Sequence, residues 1–254
     1  STPIKSSAAS DVYKRQTASG ALGAAIGVVT NVITTDHSTG VVVTGTSTDK
    51  SSLTGTSVSV DADAKEGISS LLIAASGAQY AAVSASVNVN RQLSDVSAAV
   101  DQTEVLGSFA QNANYLGRIT TSAITAAGSQ YAAVPISVVI NYADNAVSSS
   151  VAHSILRAEG QSASVGANRI SEFSSLNVTA SGAMYGAAAG LVNVNTIEGA
   201  TSAEVNDSEV KAGQFSVNAE NEDHLKVTDV TATGAIGSLG ASVVVSYFLS
   251  LIHI

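Results

Sequence analysis

Few side chains in this sequence could do acid–base chemistry. Asp61, Asp63 and Glu66 form the clearest acidic group. A pair of carboxylates is what glycoside cleavage needs, one acting as the acid and the other as the nucleophile or base. No aromatic platform for a sugar ring lies beside this group. We therefore expect a chain that is not an enzyme and has no catalytic residues. The alternative is a β-solenoid carbohydrate-active enzyme or a polysaccharide-binding module.

The histidines and a second acidic cluster do not predict a metal site. His37, His153 and His224 share no offset within the repeat described below, and their spacing is not typical of zinc ligands. The densest charged cluster, residues 220–224, has the oxygen-rich side chains that calcium prefers but lacks the spacing of a calcium-binding loop. We expect this cluster to be a solvated turn, and we expect no metal and no cofactor.

The composition excludes several classes of protein. Only 12% of the 254 residues are charged and the formal net charge is -9, so the concentrated basic surface that nucleic acid requires is missing. The chain has no cysteine, which excludes disulfides and thiolate metal sites. Its longest apolar runs are too short for a membrane-spanning helix. We expect neither a nucleic-acid partner nor a transmembrane segment.

One stretch recurs along nearly the whole sequence and shows how the chain is organised. Residues 179–195 read T-A-S-G-A-M-Y-G-A-A-A-G-L-V-N-V-N, and close variants of them return every 51–57 residues. Such a period is typical of architectures in which each unit stacks on the next. The residues at fixed offsets, which we regard as structural repeat anchors, are Gly20, Gly77, Gly128, Gly182 and Gly234, then Tyr80, Tyr131 and Tyr185, then Asn90, Asn141 and Asn195.

Alternating side chains within each unit predict short strands. In the second unit the residues from Val83 to Val89 alternate between apolar and polar, which indicates a strand whose valine face is buried. A second alternation ends at Val100, but its apolar residues have even numbers, whereas those of the first strand have odd numbers. The apolar side chains of both segments can face inward only if the chain shifts by one residue, so we expect a turn or bulge between the two strands. Other short segments bring the total to about four strands and two coils per unit. Asparagines one unit apart would then lie too far apart to bond, and we predict a strand-end or turn role for them.

The other anchor residues also have structural roles in this scheme. The glycines precede the long strand, where a positive φ would let the chain turn, and no helix follows them that could bind phosphate. The tyrosines could form a stacked ladder or a ligand-binding stripe. We favour packing, because a phenol at a strand start covers backbone while its hydroxyl stays in water. Pro135 lies inside a predicted strand and removes a ladder donor, so we expect a strand edge or a bulge there.

Small and β-branched side chains must fill the interior. Hydrophobic residues make up 45% of the chain, but aromatic residues make up only 4% and tryptophan is absent. Stacked coils about 4.8 Å apart suit such a thin core, because each layer buries its side chains against its neighbours. We therefore predict an all-β fold, a β-solenoid that by analogy is a right-handed parallel β-helix, built from about five repeats. The predicted units are 17–73, 74–124, 125–178, 179–230 and the truncated unit 231–248.

The two ends of the sequence differ from the repeat. One choice of codons makes the hexapeptides at 11–16 and 249–254 reverse complements of each other, which resembles a translated sequencing adapter. We expect segments 1–16 and 249–254 to be of non-native origin and the solenoid to run over 17–248.

The repeat resembles that of a known family. G-A-x-Y-[AG]-A with V-x-V-N, followed by A-T-S-A-E-V-N-D-S-E-V-K-A and then F-S-V-N-A-E, looks like the repeat region of leukotoxin-like filamentous adhesins, autotransporter-type passengers of Gram-negative bacteria. The resemblance covers 17–248, and the first unit departs from it by lacking the tyrosine and the asparagine. It implies a structural or adhesive segment of a large secreted protein on the bacterial outer-membrane surface. The implied partners are molecules on host or neighbouring cells and adjacent repeats of the same chain.

Overall fold

Long β-strands make up almost all of residues 11–254, the part of the chain that the computed structural model describes. Each repeat contributes two of them, one ending at or just after the anchor glycine and one beginning after the turn that follows. None of the described residues forms a helix, so none forms one that could cross a membrane. The strands are β1 (Asp11–Ala21), β2 (Ala24–Thr44), β3 (Ser51–Ala78), β4 (Ala81–Asp101), β5 (Thr103–Ser129), β6 (Ala132–Ala152), β7 (Ile155–Gly182), β8 (Gly186–Asn206), β9 (Glu209–Gly234) and β10 (Gly237–His253).

The strands form two parallel five-stranded sheets. One sheet contains the odd-numbered strands and the other contains the even-numbered strands. Each strand pairs with the strand one repeat away, so that Gly77 pairs with Gly128 and Asn90 pairs with Asn141. The structure confirms the predicted all-β solenoid, in which equivalent residues of successive repeats lie side by side.

The prediction of four strands and two coils per repeat was wrong, because one repeat makes one coil. The short strands expected from the sequence merge into strands of 21 to 28 residues between β2 and β9. At about 3.3 Å per residue these strands are roughly 70–90 Å long if straight, whereas five coils about 4.8 Å apart rise only about 20–25 Å. Each repeat is therefore a long, flat layer.

The two halves of each coil differ in charge. We call the segments without Asp, Glu, Lys or Arg, which are 16–35, 67–90, 119–143, 173–197 and 230–252, the uncharged half, and the rest of each coil the charged half. The charged half encloses an apolar core. Val100 and Val151 from the even strands are fully buried there against Phe109 and Leu156 from the odd strands. Its outward side chains are mostly polar, as expected of a surface in water.

The interior of the uncharged half mixes apolar and polar side chains, and Leu72, Ala123 and Val139 belong to one of its apolar clusters. Over Val83–Asn90 of β4 the usual arrangement is reversed, since the inward side chains are polar and at most 1% exposed and the outward side chains are apolar. The strand runs from Ala81 to Asp101 without a turn or bulge, so its even-numbered residues face inward along its whole length. The predictions of a buried valine face and of a break in the strand were therefore wrong. The inward residues are Ser84, Ser86, Asn88 and Asn90, and the outward residues are Val83, Ala85, Val87 and Val89.

Pro135 lies in the middle of β6, at neither a strand edge nor a bulge. It faces the interior, and its pairing with Ser84 of β4 is in register. On the other side, the pairing of β6 with β8 stops after Ala133 and resumes in register at Ile136. The sheet tolerates the missing N–H by opening the ladder locally, so the prediction of an edge or bulge was wrong.

The anchor glycines do not turn the chain. None of the five has a positive φ, whereas Gly107 and Gly160 do. A Cβ added to Gly77, Gly128 or Gly182 would meet no atom within 4 Å. The prediction that these residues supply a left-handed turn was wrong, and no contact within the described residues explains glycine at these three positions.

Candidate functional site

A ladder of tyrosines covers the turn between the odd and the even strands. Tyr80, Tyr131 and Tyr185 lie in successive coils, and the centroids of neighbouring rings are 5.4 Å apart with interplanar angles of 12° and 20°. The three residues are 55%, 47% and 55% exposed. Parallel strands about 4.8 Å apart bring the rings close to stacking distance. The structure therefore forms the stacked ladder that the sequence favoured, and half of its surface remains uncovered.

An asparagine ladder runs through the interior of the uncharged half. Asn90 Nδ2 donates to Asn141 Oδ1 at 2.8 Å, and Asn141 Nδ2 donates to Asn195 Oδ1 at 2.9 Å. Thr121 of the facing sheet donates to Asn141 Oδ1 at 2.8 Å. The prediction that these asparagines lie too far apart was wrong, because one coil per repeat places them in adjacent layers.

Shorter polar contacts hold the same interior together between the two sheets. Ser86 Oγ lies 2.6 Å from Thr125 Oγ1 of the facing sheet and donates to Ser137 Oγ of the next coil at 3.0 Å. Asn88 Nδ2 donates to Ser70 Oγ at 2.8 Å. Buried polar groups cost free energy unless they are bonded, so these partners hold the sheets in one register.

A column of ionisable side chains crosses the interior near the border between the two halves. It contains Glu66, Tyr115, Arg169 and Asp223, one from each of four successive coils. The Arg169 side chain is fully buried, and its Nη2 lies 3.0 Å from Asp223 Oδ2. Its Nη1 also donates to the carbonyl oxygen of Glu198 at 3.1 Å. The guanidinium is thus paired within the protein, which a buried charge requires.

Burial shifts the acid–base equilibria of this column. It raises the pKa of Glu66 above its ordinary value, and the hydrogen bond that Ser94 donates opposes this shift. Burial also raises the pKa of the Tyr115 hydroxyl. It lowers the pKa of Arg169, while the nearby carboxylate of Asp223 opposes that shift. Perturbed groups of this kind occur at functional sites and in structural ion-pair networks alike.

Two glycines make room for the column. A Cβ on Gly117 would overlap the ring and hydroxyl of Tyr115, which lies two residues away on the same face of β5. A Cβ on Gly199 would overlap the Asn145 carbonyl oxygen and would lie 3.0 Å from Arg169 Nη1. Large inward side chains therefore fit only because a neighbouring position has no side chain.

The acidic group considered for catalysis does not converge. Asp61 and Asp63 face outward on β3, whereas Glu66 faces the interior. Asn112 Nδ2 donates to Asp61 at 2.9 Å, and Asn114 Nδ2 donates to Asp63 at 2.8 Å. The two aspartates are thus held in short polar ladders along the outer surface of the sheet.

The other candidates for metal binding are also separated. Residues 220–224 lie in the strand β9 and not in the predicted turn, with Asp223 directed inward to Arg169. His224 pairs with its neighbour Glu222 at 2.8 Å, and His37 Nδ1 lies 3.5 Å from Glu66 Oε1. No cluster of three or more His, Asp or Glu side chains that could hold a metal ion occurs in residues 11–254.

Sequence reasoning missed the ionisable column, although the sequence contains a signal for it. Tyr115 and Arg169 occupy the same position in successive repeats, where Ala64 stands in the repeat before. A large polar residue at an inward-facing repeat position, with a glycine close by, is the pattern that would have revealed it.

Comparison of the chain with protein-family models, with curated proteins and with solved structures finds no match.

Proposed function

We propose that this chain is a structural, non-enzymatic segment of a large adhesin that is secreted or displayed on the bacterial outer-membrane surface. In this role each repeat adds one coil to a continuous stack. The in-register pairing of equivalent residues supports the proposal most directly, because it extends over nearly the whole length of the strands. Since each coil contacts only its neighbours, a stack of this kind can grow by repetition.

The last coil supports the proposal that adjacent repeats of the same protein are partners of this segment. Val244 and Phe248 occupy inward positions of β10, yet they are 48% and 52% exposed. Their equivalents one coil earlier, Asn193 and Ile197, are 0% and 1% exposed. A further coil would cover both side chains and pair the free edge of the strand.

Deleting one whole repeat tests the stacking role. Removing residues 125–178 joins Ile124 to Thr179, which is the register partner of Thr125. We expect the shortened chain to retain its strand signal in circular dichroism and to unfold cooperatively. The matched control removes only 125–151, which deletes half a coil and should abolish folding. Loss of folding after the whole-repeat deletion would contradict the proposal.

The adhesive role needs its own test. Contacts with molecules on host or neighbouring cells would fall on the outward side chains and the turns, since the interior is closed. Beads coated with the folded chain should adhere to such cells more than beads coated with the half-coil deletion. Equal adhesion of both would leave only the role of a structural spacer.

A further inference from the structure

The outer face of the even-numbered sheet is apolar throughout the uncharged half. Four outward rows cross its five strands there, and they contain mostly valine and isoleucine. Among these twenty positions, Thr30 is the one with a polar side chain. We call this surface the even face. Each of its rows begins at an even-numbered residue of β2 between Ile26 and Val32 and ends at an odd-numbered residue of β10 between Leu239 and Val245.

Nothing within residues 11–254 covers the even face. Ile26 is 70% exposed, Ile136 in the central strand β6 is 45% exposed and Val243 is 52% exposed. Five strands about 4.8 Å apart and about 26 Å of strand length give roughly 600 Å² of flat apolar surface. This area equals that of the largest apolar patches on monomeric proteins, which are often binding sites.

The chemistry of the even face limits what can bind to it. Its side chains have no charge and, apart from Thr30, no hydrogen-bonding group, so a partner must present a second flat apolar surface. The odd sheet offers no such surface, because its outward rows in the uncharged half contain Ser122 and small residues such as Ala75 and Ala126. The even face of another copy does, and two sheets pack face to face about 10 Å apart.

The area of the even face is sufficient for a dimer. Two such faces of roughly 600 Å² would bury about 1,200 Å² in total, which is where the range of stable interfaces begins. Every further coil in a longer stack would add about 125 Å² from each copy. A two-fold dimer uses the same patch on both copies, so a single apolar face is enough to form it.

The charges beside the even face determine the relative direction of two copies. In the charged half, the outward side of the even sheet carries six carboxylates, and Arg91 is its only lysine or arginine. Parallel strands would place two such acidic surfaces against each other, which costs free energy through repulsion and desolvation. A two-fold axis along the stack instead makes the facing strands antiparallel, so that the charged halves project into water in opposite directions. The carboxylates belong to Asp36, Asp95, Asp101, Asp144, Glu198 and Glu204.

The relief of the even face fits the antiparallel arrangement. The axis would lie midway between the second and third rows, so the second row of one copy would face the third row of the other. In three of the five coils the second row is small and the third row is valine, which lets the two faces interdigitate. These pairs are Ala85 and Val87, Gly190 and Val192, and Ala241 and Val243.

We propose that two copies of the chain pack even face to even face, with antiparallel strands and with their stacks pointing in the same direction. This interaction goes beyond the structural role proposed above, because it joins neighbouring stacks side by side. Its driving force is apolar burial, so added salt should not weaken it.

Sedimentation equilibrium with a matched pair of variants tests the interaction. We expect a dimer of the 25.3 kDa chain with a dissociation constant of about 1–10 µM in both about 0.1 M and about 0.5 M salt. Val138→Asp puts a charge in the middle of the even face, and Ser148→Asp puts it on the outward side of the charged half of β6. Val138→Asp should raise the dissociation constant at least about hundredfold, because two buried carboxylates would repel each other, and Ser148→Asp should leave it unchanged. Circular dichroism should show both variants folded.

Cysteine cross-linking tests the direction of the strands, because the chain has no cysteine of its own. Val134 and Ile140 lie in the first and last rows of β6, the central strand of the sheet. A short bis-maleimide should cross-link Val134→Cys chains to Ile140→Cys chains in a mixture. Neither variant should cross-link alone, since its two thiols would lie about 20 Å apart. Parallel strands would give the reverse result.

Several outcomes would overturn the proposal. A folded chain that stays monomeric up to about 100 µM has no such interface. Dissociation of the dimer by salt would show that charges hold it together. An oligomer that Val138→Asp leaves unchanged would show association through the free strand edges, and cross-linking of each cysteine variant alone would exclude the antiparallel arrangement. None of these results would contradict the structural role of the stack, which the repeat deletion tests separately.

Discussion

The asparagine ladder gives the sharpest prediction of stability. Asn141 is 1% exposed, accepts hydrogen bonds from Asn90 and Thr121 and donates to Asn195. In Asn141→Ala, the Asn195 Oδ1 loses its donor, and leaving a buried acceptor unsatisfied costs about 1–3 kcal/mol. Asn90 keeps its bond to Thr121, so its loss is smaller. With the small cavity added, we expect the free energy of unfolding to fall by about 2–4 kcal/mol.

A second asparagine provides the control for this prediction. Asn114 makes a similar amide bond to Asp63, but on the outer surface of the sheet, where water can replace it. Asn114→Ala should therefore cost about 0.5–1 kcal/mol. Urea unfolding followed by circular dichroism measures both variants against the parent chain. An Asn141→Ala cost no larger than that of Asn114→Ala would refute the view that the interior ladder stabilises the stack.

Three further predictions follow from the turns and the column. Gly117→Ala should destabilise the chain by about 1–3 kcal/mol because the Cβ overlaps Tyr115, whereas Gly128→Ala, with open space around it, should be neutral or slightly stabilising in the same urea assay. Tyr131→Ala should cost about 1–2 kcal/mol because it removes two ring contacts, while Tyr131→Phe should cost almost nothing, and equal costs would show that stacking is not the cause. Burial raises the pKa of Glu66 above 4.5, so its contribution to stability is full below that value and is lost as the pH rises through the raised pKa. Glu66→Gln should therefore gain stability relative to the parent as the pH rises above 4.5, and parallel pH profiles would contradict this.

The sequence predicts the repeat and the stack but not which face is buried. Equal offsets between the anchor glycines, tyrosines and asparagines place them in register, and the structure pairs them in that way. Alternation alone cannot tell inside from outside, and the usual assumption that Val87 is buried and Asn88 exposed fails in the uncharged half. The assumption fails because Asn88 donates to Ser70 on the facing sheet and accepts from Asn31 of the preceding coil, and both partners are distant in the sequence.

The ion pair within the ionisable column escaped prediction for a related reason. Arg169 meets Asp223 of the next coil, and the contact depends on the register of whole repeats. The sequence groups Glu66 with Asp61 and Asp63, but Glu66 has an even number and faces the interior, whereas the two aspartates face outward.

The pairing of every strand with a strand one repeat away has a consequence for how the chain folds. No strand can form its sheet hydrogen bonds until the chain has closed a loop of more than fifty residues, as in the pairing of Asn90 with Asn141. The first two coils are thus the slow nucleus, because neither has a template. Once they exist, the free edge offers a ready-made register to the next repeat, and folding proceeds layer by layer from a seed. A chain that reaches its destination unfolded and end first would be well suited to such directional growth.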